Sequence, residues 1–172
     1  MARNVEIKAR VRDFAETSRR AQGLADSGIF EIDQRDVFFH ARQGRLKLRN
    51  LSSEQAELIY YERPDETGPT TSDYVKVLGA EGAALEEALT RALGVRGEVR
   101  KSRKVFMVGR TRIHLDRVDG LGDYLELEVV LEEGEEASEG EKVAMDLMQK
   151  LGVEQDDLVD GAYIDLLEED LD

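Results

Sequence analysis

The chain has 172 residues, no cysteine, and 24 Lys and Arg against 38 Asp and Glu, a formal charge of −14. It is long enough to bury a core unaided, and the missing thiols exclude a disulfide scaffold, a thiolate zinc site and a cysteine nucleophile. The negative total argues against a general nucleic-acid binder.

That total is unevenly spread. Residues 132–172 hold 16 acids and only Lys142 and Lys150, which leaves 22 charges of each sign in residues 1–131. Residues 94–117 reverse the balance, with eight Arg or Lys against Glu98 and Asp116, and a local excess of that kind gathers a polyanion. No apolar run approaches the roughly 20 residues of a membrane span. The N-terminus, Met1-Ala2-Arg3-Asn4-Val5-Glu6, has no hydrophobic signal region. A cytoplasmic location is expected, with neither membrane nor nucleic-acid partners.

In chain order, the first element alternates with period two, the mark of a strand: Asn4, Glu6, Lys8 and Arg10 share one face, Val5, Ile7, Ala9 and Val11 the other. A helix follows, opened by a capping box of Asp13 and Glu16, striped by Phe14, Ala21, Leu24 and Ala25, and ended by Gly28. Phe30–His40 reads as a strand with apolar and charged residues on both faces. In Arg45–Arg49 the basic Arg45, Lys47 and Arg49 oppose Leu46 and Leu48, and Arg45 reads as a surface residue at a hairpin end. Pro64 and Pro69, the only prolines, fall in Glu62–Asp73, which reads as one long loop and a candidate lid. Beyond it Tyr74 and Lys76 oppose Val75 and Val77.

Glu81–Leu93 places Leu85, Ala88, Leu89 and Ala92 together on a helix that stops at Gly94. Val99–Phe106 is a second strand of mixed parity, so Arg100 within it and Glu98 at its start are set aside. Arg110–Asp116 carries Arg110, Arg112, His114 and Asp116 opposite Ile113 and Leu115, and His114 reads as an ordinary strand histidine. Tyr124–Val130 sets Glu126 and Glu128 against Leu125, Leu127 and Val129. Ser138 with Glu141 repeats the capping box, and Val143, Leu147, Met148 and Leu151 share a helical face before Gly152. The acidic tail reads as a solvated helical face.

A solvated strand usually mixes neutral polar residues with both signs of charge. Here single strands carry rows of one sign: Lys47 with Arg49, Lys101 with Arg103, Glu126 with Glu128. Like charges on one face repel unless an opposite charge lies between them. Basic rows therefore imply a polyanion, and an acidic row beside them implies a bridging divalent cation. A closed antiparallel barrel would put the charged face inside and the apolar face outward under the three helices.

These residues resemble the CYTH family, the triphosphate tunnel metalloenzymes, which includes class IV adenylyl cyclases, thiamine triphosphatases and inorganic tripolyphosphatases. The resemblance runs from Asn4-Val5-Glu6-Ile7-Lys8 to Ala162-Tyr163-Ile164-Asp165-Leu166-Leu167. Its most specific block, Lys101-Ser102-Arg103 through Ile113-His114-Leu115-Asp116 and Gly120-Leu121-Gly122 to Leu125-Glu126-Leu127-Glu128, looks most like the cyclase branch. Gln34-Arg35-Asp36-Val37-Phe38-Phe39 and Gly44-Arg45-Leu46-Lys47-Leu48-Arg49 resemble the family's second and third strands. Asn4 stands where the family signature Glu-x-Glu-x-Lys has its first glutamate, and an amide supplies a carbonyl oxygen but no charge, which weakens a second metal site.

The resemblance implies an α+β fold, one domain over residues 1–172 built as an antiparallel eight-stranded β-barrel with helices on its outer face. It implies Mg2+ or Mn2+ held by Glu6, Glu126 and Glu128 with Asp116 nearby. The triphosphate contacts carried over are Lys8, Lys47, Arg49, Lys101 and Arg103, and Arg63, Lys76 and Arg112 join them by proximity and strand parity. Glu6, Lys8, Glu126 and Glu128 are the expected catalytic residues. The favoured activity is hydrolysis of a nucleoside, other organic or inorganic triphosphate. The alternatives are a class IV adenylyl cyclase that forms cyclic AMP and pyrophosphate, and a polyphosphate- or nucleotide-binding protein without turnover. A monomer or homodimer is expected.

Overall fold

Strands with one apolar and one charged face can shield both only by closing, with the charged faces turned inward and helices laid over the apolar ones. The computed structural model, which describes residues 2–52 and 54–170, has this form. Its elements are β1 (Ala2–Arg10), α1 (Phe14–Leu24), β2 (Ser27–Phe39), β3 (Arg45–Asn50), β4 (Gln55–Glu62), β5 (Thr70–Ala80), α2 (Gly82–Leu93), β6 (Val95–Val108), β7 (Thr111–Val118), β8 (Gly122–Val130), α3 (Ala137–Lys150), a 3-10 turn at Gln155–Asp157 and α4 (Tyr163–Glu169). The strands close in the order β1-β5-β4-β3-β2-β6-β7-β8. Every pairing is antiparallel, and β1 completes the ring by pairing with both β5 and β8. Among the described residues no helix is long and apolar enough to cross a membrane.

The apolar core has three parts, two outside the barrel wall and one that plugs the barrel's end beneath α4. Val5, Ile7, Ile113, Leu125 and Leu127 pack against Ala144, Leu147 and Met148 of α3, Leu151 just after it and Ala21 of α1. Val37, Phe39, Leu48 and Ala56 meet Leu85 and Leu89 of α2. Phe38, Val99, Val118 and Tyr124 surround Tyr163, Ile164 and Leu166 of α4. A carbon added at Gly140 of α3 would lie 2.8 Å from Val5 and 2.7 Å from Leu131. That close approach turns Ala144, Leu147 and Met148 inward and leaves Val143 37% exposed at the margin of the stripe.

Several local expectations are corrected. Asp13 does cap α1, accepting from the Glu16 amide, but the helix stops at Leu24. Gly28 belongs to β2, because Asp26 and Ser27 are already drawn onto β6 at Met107. Ser138 caps nothing; α3 begins one residue earlier, after Glu136. Glu81 is the cap of α2, held in a left-handed conformation at φ 57°, and Gly94 at φ 79° ends that helix as expected. The long loop shrinks to residues 63–69, since Thr70–Asp73 pair with β1. The acidic tail is not a single solvated face: it forms α3, the 3-10 turn and α4, and Asp157 and Asp165 bind Arg12, Arg45 and Arg96.

Candidate active site

Strand parity decides which side chains meet inside. The inward rows are Asn4, Glu6 and Lys8 on β1; Phe30, Ile32, Gln34, Asp36 and Phe38 on β2; Lys47 and Arg49 on β3; Lys101, Arg103 and Val105 on β6; Arg112 and His114 on β7; and Glu126 and Glu128 on β8. They enclose a cavity of about 350 Å³. All eight cations assigned to a triphosphate line it: Lys8, Lys47, Arg49, Arg63, Lys76, Lys101, Arg103 and Arg112. Five carboxylates, Glu6, Asp36, Glu57, Glu126 and Glu128, share the wall and Asp116 stands behind Arg103, which leaves two formal positive charges in excess. Glu98 and Arg100 face outward and pair with each other.

Carboxylates set between the cations resolve much of the repulsion within the basic rows. Asp36, 1% exposed, accepts both arms of Arg49 at 2.9 Å and lies 3.5 Å from Lys47 and 3.4 Å from Lys101. Burial pushes its carboxyl up, but Arg49, Lys47 and Lys101 outweigh burial and hold it well below the usual carboxylate range. Asp116 does the same for Arg103, accepting both arms at 2.7 Å and the Tyr163 hydroxyl at 2.7 Å. Asp116 is therefore committed behind Arg103 and does not join the acidic group that faces the cavity. Forks of this kind fix a guanidinium's plane before any ligand arrives.

The start of α4 closes one end of the tunnel. Gly161 O accepts from Lys8 Nζ at 2.9 Å and from Arg63 at 2.6 Å, and the Lys8 ammonium lies 4.1 Å from the Tyr163 ring centre. Arg45, far from being a free surface residue, is 10% exposed in its side chain and binds Asp65 and Asp165. Burial brings Lys8 down to about 8, and burial with the neighbouring Arg49 brings Lys47 down to about 7. At the other extreme Lys76 is 37% exposed in its side chain and only 3.9 Å from Glu57, and Arg112 pairs with Glu128 at 2.9 Å.

One group of side chains could hold a metal ion. His114, Glu126 and Glu128 each offer an atom within 4.8 Å of the others. His114 Nδ1 is buried without a hydrogen-bond partner among the described residues, 3.8 Å from both carboxylates, too far for a hydrogen bond. Burial, then Arg103, lowers the imidazole's proton affinity, which favours the free lone pair a metal ligand needs. Burial opposes ionisation of Glu128, but His114 and Arg112 bring it down to about 2. Glu126 is likewise held well below the carboxylate range against burial, first by Lys8. Two ionised carboxylates and an imidazole fit a hard divalent cation, and the nitrogen suits Mn2+ as well as Mg2+.

Glu6 is directly opposite Glu128 across the β1–β8 ladder and is bound by Arg63 at 2.9 Å. Its carboxyl is raised by burial and by the charge of Glu128, in spite of Arg63. A cation beside the three glutamates would relieve that repulsion. His114, Asp36 and Tyr163 are the site residues that the sequence reading passed over. The parity of β7 signals His114, on the face of Arg112. Asp36 follows from Gln34 once Val37 and Phe39 are read as the outward row.

Comparison with known proteins agrees with this architecture. Residues 2–163 match the CYTH domain. No curated protein matches the sequence. Among solved structures, a protein from Pyrococcus horikoshii is similar at 25% identity and a TM-score of 0.80, over 95% of this chain and 99% of that one. A Vibrio parahaemolyticus protein provisionally described as an adenylate cyclase is 17% identical, with a TM-score of 0.76 over 96% and 97% of the two chains. A Hippeastrum protein described as having a dominant triphosphatase activity is 13% identical, with a TM-score of 0.60 over 97% and 96%. With the match spanning nearly every described residue, the chain belongs to the CYTH domain family.

Proposed function

We propose that this protein is a metal-dependent triphosphatase that binds its substrate inside the barrel. The observation that carries the reading is the wall itself: eight cations, several pinned in advance by buried carboxylates, around one cavity with a metal-capable group on one side. Arg49 and Arg103 present planar forks to phosphoryl oxygens, while Lys8, Lys47 and Lys101 supply point charges. The charge that develops as a phosphoanhydride bond breaks is met by groups already in place, which is the largest contribution such a site can make.

Glu126, Glu128 and His114 would hold Mg2+ or Mn2+, with Glu6 beside them. When bound, the ion supplies Lewis-acid polarisation of phosphoryl oxygens. Glu6 lies beside the metal-capable group and outside it, so it is the glutamate left to take the proton as water attacks phosphorus and the bridging P–O bond breaks. Lys8, with its pKa lowered to about 8, remains largely protonated at neutral pH and neutralises the leaving oxygen.

Orthophosphate release from ATP and from inorganic tripolyphosphate, measured for the parent, Glu126→Gln and Glu128→Gln with Mg2+, with Mn2+ and with chelator, tests the reading. Turnover that is lost in both variants and in chelator is expected. Full activity in either variant removes the metal assignment, and turnover undiminished by chelator removes metal dependence.

A further inference from the structure

Lys47 differs from the other buried lysines of the tunnel in how loosely it is held. Its Nζ lies 3.5 Å from Asp36 Oδ2 and makes no hydrogen bond within the described residues, whereas Lys8 donates to Gly161 O at 2.9 Å and Lys101 to Asp36 at 3.4 Å. Its side chain is 14% exposed, against 4% for Lys8 and 3% for Lys101, so it is the buried amine most open to the cavity. The ring centres of Phe38 and Tyr61, 5.6 and 5.2 Å from the nitrogen, confine it without taking up its lone pair.

The groups that face this amine are Asp36 from β2, Arg49 along β3, Tyr61 from β4, Lys101 from β6 and Glu126 from β8. Burial and Arg49 prevail over the two carboxylates, and with its pKa at about 7 roughly half of the Lys47 side chains are neutral at neutral pH. An ordinary lysine is neutral only about once in 2,500 there. A free amine in a wall of cations suits an electrophile that carries its own anion. Lys101 reaches the same oxygen of Asp36 as Lys47 does, and Arg49 binds that carboxylate through both arms. A phosphoryl group taken by Arg49 and Lys101 therefore sits against Lys47.

We propose that Lys47 is a modification site for acyl phosphates, which the tunnel binds by their phosphoryl group and which transfer their acyl group to its Nζ. The nitrogen lone pair attacks the carbonyl carbon, and a C–N bond forms as the C–O bond to the phosphate breaks. Orthophosphate departs with the bonding pair, and the proton of the nitrogen passes to water. The amide has no charge, so one of the two excess cations of the tunnel is lost and triphosphate binds more weakly. The step needs the anion-binding wall and not the hydrolysis of triphosphate.

The test treats the parent and Lys47→Arg with acetyl phosphate at pH 7 and follows each acetylated lysine by mass spectrometry. The lower nucleophilicity of a weaker base reduces the advantage of the neutral amine, and Lys47 is expected to react about tenfold or more faster than Lys142, whose side chain is 74% exposed. Tripolyphosphate should protect Lys47 and leave Lys142 unaffected, because it fills the tunnel and, with more negative charge than an acyl phosphate, reprotonates the amine. Acetic anhydride, which has no phosphoryl group, should show a smaller preference for Lys47. Calorimetry should then find tripolyphosphate affinity lowered about tenfold in the acetylated parent and unchanged in treated Lys47→Arg. Labelling that follows exposure, preferential labelling of Lys8 or Lys101, or labelling of Lys47 that tripolyphosphate does not slow overturns the inference. Equal preference for Lys47 with both reagents does so too, by assigning the reaction to the amine alone.

Discussion

Replacing Asp36 by Asn keeps the volume of the side chain and removes its charge, which exposes how the tunnel tolerates its cations. The parent carboxylate is 1% exposed, holds Arg49 by two bonds of 2.9 Å and lies within 3.5 Å of Lys47 and Lys101. Removing one partner of a buried ion pair costs about 3–5 kcal/mol. Lys47 sheds part of that cost, because burial and Arg49 have already lowered its pKa to about 7 and it can release its proton. About 3 kcal/mol is therefore expected, and at roughly 2–4 °C per kcal/mol for a chain of this size the Tm falls by about 6–12 °C. The fall is larger at pH 6, where Lys47 stays charged, than at pH 8. The variant tunnel is also more positive, so tripolyphosphate raises its Tm more than the parent's; a ligand at 100 times its Kd adds about 2.7 kcal/mol. Thermal denaturation of both proteins at the two pH values, with and without tripolyphosphate, gives the answer. An unchanged Tm, or a loss that tripolyphosphate repairs no better than it stabilises the parent, would refute the role of Asp36 as the shared counter-charge.

Other consequences can be measured separately. Lys47 faces Asp36 from β2, Arg49 on its own strand, Lys101 from β6 and Glu126 from β8. A bound polyanion raises its pKa above the free value of about 7, so triphosphate affinity is full below pH 7 and falls as pH rises beyond it. Calorimetry in buffers of different ionisation enthalpy should show proton uptake on binding at pH 8, and a smaller uptake in Lys47→Met, where Lys8, itself lowered to about 8, still contributes. Tyr163→Phe removes the hydroxyl that Asp116 accepts and should cost about 2 kcal/mol in urea denaturation; a neutral result would detach α4 from the Arg103 support. Gly140→Ala improves helix propensity but forces a carbon against Val5 and Leu131, and a net loss of about 1–3 kcal/mol is expected. A more stable variant would show that α3 moves freely off β1.

Much of this arrangement was legible in the sequence because strand parity survives folding. Glu6 and Lys8, Lys47 and Arg49, and Glu126 and Glu128 are spaced by two, so whichever face turned inward had to carry each pair together. Closure then followed from charge, since rows of one sign on an open sheet would have met water with nothing between them. Where parity was mixed, the reading stopped. Asp36 lies among Gln34, Phe38 and Phe30, a row that looks neither polar nor apolar because it crosses from the mouth of the tunnel to its centre. Tyr163 was hidden for a different reason: its contacts to Asp116 and Lys8 span 47 and 155 positions of chain, beyond any local pattern. The helix ends failed at Gly28 and Ser138 because ladder pairing at Met107 and packing at Val5 overrode local capping preference. The internal counter-charges also revise the repulsion argument: the basic rows are tolerable without a ligand, and what points to a polyanion is the remaining excess of two cations.

The most direct measurement is an end-product assay of the purified protein with ATP and with inorganic tripolyphosphate, in Mg2+ and then Mn2+, resolving orthophosphate, pyrophosphate and cyclic AMP. Orthophosphate released in either metal, and absent without one, is the predicted result. Cyclic AMP with stoichiometric pyrophosphate would contradict it and make the tunnel a cyclase, and the absence of any product while tripolyphosphate raises the Tm would make it a binding site without turnover.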